Sequence, residues 1–154
     1  MAGRAGRADH PGHVVVQTYE PEHYGIRCAA AQDYRAFYHR ESEVRRTALY
    51  PPYTVMTRIL FSSGSADAAR AAAQAAETAL AAYLEETGQR EQALQLRAVE
   101  APIAQLRGEY RWQLFLKVYF KADVDALTAR MQALAEAAPE DVRAELEVNP
   151  TNMF

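Results

Sequence analysis

Between residues 53 and 148 the spacing of apolar positions changes period repeatedly, and each change marks an element. Tyr53 to Ser62 alternates, with Tyr53, Val55, Thr57, Ile59 and Phe61 on one side, which predicts a strand. Asp67 to Glu86 is alanine-rich at helical spacing; Ser65 is placed to cap that helix and Thr87-Gly88 to close it. Gln95 to Ala101 reads as a short strand stopped by Pro102, Arg107-Gly108 as a turn, and Tyr110 to Lys121 as the longest strand. Asp123 to Ala137 returns to helical spacing through Val124, Leu127, Met131 and Leu134. Val142 to Val148 alternates again, with Val142, Ala144, Leu146 and Val148 against Arg143, Glu145 and Glu147. The order β-α-β-β-α-β predicts an α+β fold, a ferredoxin-like sandwich with two helices on one face of a four-stranded sheet.

Upstream the pattern differs. His13 to Thr18 is a short β-branched run of the kind found in buried parallel strands, and Pro21 ends it. From Ala29 to Ala48 the residues Ala30, Tyr34, Phe37, Glu41, Val44 and Ala48 fall on one helical stripe. Glu41 on that stripe, one turn before Arg45, predicts a structural ion pair. Tyr50-Pro51-Pro52-Tyr53 stops the helix, because proline disfavours helical geometry in its predecessor and has no amide to donate.

Composition narrows the class. The 154 residues are 49% hydrophobic and 24% charged, which is globular, and the net charge of -3 excludes a polycation. Charge is uneven, however: residues 1–58 carry +2 and residues 59–154 carry -5. Cys28 is the only cysteine, so no disulfide or cysteine zinc site forms within one chain. His10, His13, His23 and His39 lack any metal-ligand spacing, and no metal site is expected. With no spanning apolar run and no secretory core, a cytoplasmic protein is expected. No nucleophile and base stand at a catalytic spacing.

Chemistry concentrates on the long strand. Alternation places Tyr110, Trp112, Leu114, Leu116, Val118 and Phe120 on one face, suited to packing under helices. Arg111, Gln113, Phe115, Lys117, Tyr119 and Lys121 share the other face, which holds both lysines of the protein. With Arg107, this segment carries four bases against the single acid Glu109, inside the acidic half. A basic, aromatic sheet face left open by its helices is suited to single-stranded nucleic acid or acidic peptides. The same pattern also describes ordinary solvated charges on an amphipathic strand.

Several segments in order resemble one family. Gly3-Arg4-Ala5-Gly6-Arg7 matches the Gly-Arg-x-Gly-Arg core of the sixth motif of superfamily-2 helicases, although alone it reads equally as a flexible basic arm. It is followed by HVVVQTYEPEHYGI, by Gln32-Asp-Tyr-x-x-Phe-Tyr38 and by Tyr50-Pro-Pro-Tyr53. Then come Leu106-Arg-Gly-x-Tyr-Arg-Trp-Gln-Leu-x-Leu-Lys117 and Val148-Asn-Pro150. Together these are similar to the C-terminal end of primosomal protein N′ (PriA), the bacterial replication-restart DNA helicases, so a C-terminal fragment of such a protein is expected. The resemblance implies a remnant of the second, RecA-like helicase lobe at residues 1–28, a connecting helix at 29–52, and a domain like ribosomal protein S10 at 53–154.

The intact family implies ATP, Mg and Zn as cofactors, and as partners DNA at replication forks, the acidic tail of single-stranded-DNA-binding protein and other primosome proteins. Arg4 and Arg7 match the motif's phosphate-facing arginines, whose fixed charged forks stabilise transferring phosphoryl groups. The family's Walker loop, acidic Mg motif and paired cysteine clusters have no counterpart here. The expectation is therefore a chain that holds no cofactor and does not hydrolyse ATP alone. Arg107, Arg111, Lys117 and above all Lys121 are its expected contacts to DNA or partner protein. The alternative is a free-standing nucleic-acid or acidic-peptide binding module without helicase activity.

Overall fold

A strand buried on both faces needs apolar or paired side chains at every position, and Thr54–Ser63 supplies them. All ten residues of this strand, β3, are buried, and it lies between two partners. The structure is a computed structural model that describes residues 6–7, 10–11 and 14–150. Two compact units divide the chain, Met1–Glu43 and Val44–Phe154.

In the second unit the elements run β3, helix α3 (Ala66–Glu86), a 3-10 turn (Arg90–Gln92), β4 (Ala93–Leu106), β5 (Glu109–Tyr119), α4 (Val124–Glu136) and β6 (Arg143–Val148). The fold is α+β, and the four strands form an antiparallel sheet in the order β4-β5-β3-β6. Ser65 caps α3 as predicted, its Oγ accepting from the Ala68 amide at 3.3 Å. Asp123 does the same for α4 through the Ala126 amide at 3.0 Å. Both helices cover one face of the sheet. Ile59 and Phe61 of β3 and Leu114, Leu116 and Val118 of β5 pack there with Leu80, Leu84, Leu127 and Met131. Burying each of these large side chains stabilises the fold by roughly 1.5–3 kcal/mol before chain entropy is counted.

Three predicted strand boundaries in this unit move by two residues or more. The strand expected at Gln95–Ala101 extends from Ala93 to Leu106 and contains Pro102. β4 is an edge strand whose register against β5 breaks between Glu100 and Gln105, so the missing proline amide costs no ladder bond. β4 is accordingly the longest strand, not β5. β5 stops at Tyr119, because the Ala122 amide turns back onto the Tyr119 carbonyl and leads into the α4 cap. Phe120 is therefore 61% exposed, not core, and Lys121 lies in the turn.

The first unit departs further from expectation. Val14 to Thr18 forms no strand, and Val15 is 91% exposed. An extended run becomes a strand only where another strand satisfies its amides and carbonyls, and none pairs with it among the described residues. His13, the first residue of that predicted strand, lies outside the described residues, as does Arg4. Gly6–Arg7 (β1) pairs antiparallel with His10–Pro11 (β2). The predicted helix Ala29–Ala48 is two helices, α1 (Tyr24–Ala30) and α2 (Tyr34–Thr47). Gln32, with φ of 54°, turns left-handed between them, and Asp33 Oδ1 accepts from the Ala36 amide at 2.9 Å to start α2. In this unit the Tyr24 hydroxyl donates to the Glu41 carboxylate.

One polar residue stands at the centre of the sheet on the side away from the helices. The Arg58 side chain is 5% exposed and meets the Glu147 carboxylate at 2.5 Å, on the directly opposed position of β6. Removing one partner of a buried pair strands the other charge, but Glu147 is 45% exposed, which lowers the cost. Glu147→Ala is expected to lose about 2 kcal/mol in chemical denaturation. Glu145→Ala, which breaks only the exposed 3.5 Å contact to Arg143, should change stability by less than about 0.5 kcal/mol. In the same samples, amide exchange should be fast at Val14–Thr18 and slow throughout β3.

Candidate functional site

The alternation of β5 sorts its side chains as the sequence predicts, with one change of consequence. Leu114, Leu116 and Val118 lie in the core and Trp112 packs against it. On the other face, Gln113 and Phe115 are only 4% and 8% exposed, so the expected open surface is closed at its centre. Phe115 sits between Arg58 and Arg97 in the pairing register.

The four expected bases therefore lie toward the two ends, while Arg97 of β4 is exposed opposite Phe115. At one end Arg107 and Gly108 form the two-residue connection between β4 and β5, with φ of 54° and 86°. Positive φ at both positions is the geometry that follows the twist of a hairpin. Arg111 stands on β5 opposite Ser62, and Arg143 of β6 reaches the Glu109 carboxylate at 3.2 Å. At the other end are Lys117 and Lys121. Lys117 lies six residue steps beyond Arg111, roughly 20 Å along a strand, so the four expected bases do not form one cluster. Among the described residues, Arg107, Arg111 and Lys121 form no side-chain hydrogen bond or ion pair.

Lys117 is different. Its ammonium donates to the Ala48 carbonyl at 3.1 Å and lies 4.4 Å from the centre of the Tyr50 ring. Burial holds its pKa below the ordinary 10.5. The segment it touches is organised by its own bonds. Arg45 donates to the Pro51 carbonyl at 3.0 Å, and Thr54 Oγ1 to the Leu49 carbonyl at 2.7 Å. Leu49 has φ of 53°, a left-handed conformation that a leucine adopts only where its surroundings hold it.

Two residues of this region were not singled out from sequence. Tyr50 entered only as part of a helix stop and of a family-like segment, yet its ring faces Lys117. Asn149 doubles onto β3: its Oδ1 accepts from the Met56 amide at 3.1 Å, and its amide donates to the Met56 carbonyl at 2.6 Å. Its φ of 48° is one that asparagine tolerates well. The Asn-Pro ending is thus a closure of the sheet. No group of three or more His, Cys, Asp or Glu that could hold a metal occurs among the described residues. No described helix is long and apolar enough to cross a membrane.

A lysine with a lowered folded pKa holds its proton less tightly than the unfolded chain does. The resulting penalty is constant while both states are protonated and fades as pH rises through the folded pKa toward 10.5. Wild type should therefore gain stability relative to Lys117→Gln over that alkaline window, measured by urea denaturation at stepped pH. A difference that stays flat would show that burial does not perturb this lysine.

The profile of the primosomal protein N C-terminal domain matches residues 46–151. Replication restart protein PriA of Bacillus subtilis (strain 168) is 32% identical over 156 aligned residues, which cover all of this chain and 19% of the relative. The protein of the same name from Treponema pallidum (strain Nichols) is 32% identical over 154, with all of this chain and 22% of the relative covered. That from Haemophilus influenzae is 30% identical over 154, covering 99% of this chain and 20% of the relative. The chain spans about a fifth of the length of these curated relatives. It belongs to the primosomal protein N (PriA) family, in which it corresponds to the C-terminal domain and the segment leading into it.

Proposed function

We propose that this chain is the part of a replication-restart primosome helicase that meets fork DNA and partner proteins. The carrying observation is the display of unpaired bases at both ends of β5, within the span matched by the family profile. Arginine and lysine free of internal carboxylates give up less on meeting phosphate than paired ones do. Arg107 and Arg111 form one contact region and Lys121, with the exposed ring of Phe120 beside it, forms another. Spacing of this kind suits a backbone running along the strand, with bases stacking on an aromatic at one end. The acidic tail of single-stranded-DNA-binding protein and other primosome proteins are the protein partners on this reading.

The strand order β4-β5-β3-β6, with α3 and α4 on one face, supports a ferredoxin-like, S10-like arrangement for residues 53–154. On the same reading residues 1–28 derive from the second lobe of a RecA-like motor and 29–52 connect it. Arg4 and Arg7 then serve ATP hydrolysis only in a longer protein that supplies ATP, Mg and Zn sites, working in the cytoplasm 3′ to 5′ on DNA. No Walker loop occurs in the 154 residues, so the purified chain should show no DNA-stimulated ATPase activity.

Binding is tested with a fluorescent forked oligonucleotide. Lys121→Glu and Arg111→Glu should each weaken binding and lower the salt dependence of log K by about one unit of slope. Arg70→Glu, on the outer side of α3, should leave affinity and slope unchanged. Equal affinity in all three variants would remove the β5 surface as the contact.

A further inference from the structure

The four bases that the sequence groups together do not share one role. Lys117 spends its charge inside the fold. One N–H of its ammonium is taken by the Ala48 carbonyl, and the Tyr50 ring occupies another side. Ala48 is the first residue beyond α2, so its carbonyl belongs to the unsatisfied, partially negative end of that helix. A cation held there completes the helix end and fixes the following segment to β5. That segment is otherwise shaped by local bonds, from Arg45 to the Pro51 carbonyl and from Thr54 to the Leu49 carbonyl, while Ala48 and Tyr50 stay exposed.

We propose that Lys117 is a positioning residue that clasps Ala48–Tyr53 to the end of β5, and that it does not contact the anionic ligand. The anion is left to Arg107, Arg111 and Lys121, whose side chains carry no internal hydrogen bond or ion pair among the described residues. The clasp also gives a physical sense to two separated sequence motifs. Tyr50-Pro-Pro-Tyr53 provides the ring, and the strand sequence ending in Lys117 provides the cation. An exposed ring and one partly buried ammonium make a modest contact, which charge-reversing or shortening substitutions break without disturbing the core.

The test separates two readouts in the full chain. The first is amide exchange at Tyr50 and Tyr53, whose N–H groups donate to the Arg45 and Tyr50 carbonyls. The second is affinity for a short oligothymidylate, and it alone rests on the binding reading above. Lys117→Met should speed exchange at these amides by roughly tenfold, the scale of one charge-assisted hydrogen bond with a cation–π contact, and leave oligothymidylate affinity unchanged. Tyr50→Leu, which leaves the sheet intact, should do the same, whereas Lys117→Arg and Tyr50→Phe should restore wild-type exchange. Lys121→Glu should weaken binding with no change in exchange. The clasp is overturned if Lys117→Met and Tyr50→Leu leave exchange as in wild type, or if Lys117→Met weakens binding as much as Lys121→Glu. If wild type binds no oligothymidylate, the binding reading fails and the exchange data alone still decide the clasp.

Discussion

Everything in the second unit depends on β3 being enclosed from both faces and both edges. A strand in that position must pair its whole backbone and find company for every side chain. β5 and β6 supply the ladders, α3 and α4 supply one face, and the alternate residues of the sheet supply the other. Arg58 is the sharpest consequence. A guanidinium at the middle of such a strand is tolerable only because Glu147 stands directly opposite in the register, near enough to share its charge. A shift of one residue between β3 and β6 would turn Glu147 to the helix side and leave Arg58 alone, so this pair favours one register as well as stabilising it.

Enclosure of β3 also decides where binding chemistry can sit. Since Gln113 and Phe115 are covered, the middle of β5 is unavailable to any partner. Arg97 is exposed on the edge strand β4, but the free bases of β5 and its flanking turns are displayed toward the hairpin turn and the turn into α4. The same geometry separates them by about the length of six extended residues. On the proposed binding reading, a surface assembled this way suits something extended, such as a strand of nucleic acid or an extended acidic segment, better than a compact anion.

Much of this was legible in the sequence, and the parts that were not have identifiable causes. Periodicity located every helix and strand described in residues 53–148, because each carries an apolar stripe or face at the matching period, even β3, which is buried on both sides. Ends were misplaced where tertiary pairing overrides local signals. Pro102 reads as a stop, but an edge strand with a broken register accommodates it. Lys121 continues an alternation that the backbone has already abandoned to cap α4. Upstream, Val14–Val16 has the composition of a strand, yet composition cannot create the neighbouring strand it requires. Gln32 carries no glycine or proline signal for the left-handed turn that splits the predicted helix, since glutamine rarely adopts it.

The site shows the same division at the level of single side chains. Sequence placed Arg111 and Lys117 on the strand and Arg107 in the turn before it, because charge and alternation are local properties, but extended the strand to Lys121, which lies in the turn after it. Their partners are not local. Whether a lysine is free or engaged depends on what the fold brings to it from elsewhere in the chain, and Ala48 and Tyr50 lie far upstream of Lys117. Asn149 illustrates the converse, since a residue in a terminal Asn-Pro pair looks like loop punctuation until Met56 of β3 is found beside it. In both cases an apparent surface motif ties chain to the end of a central strand. Part of what marks this family in sequence therefore holds the sheet together, and only the remainder is left to meet a ligand.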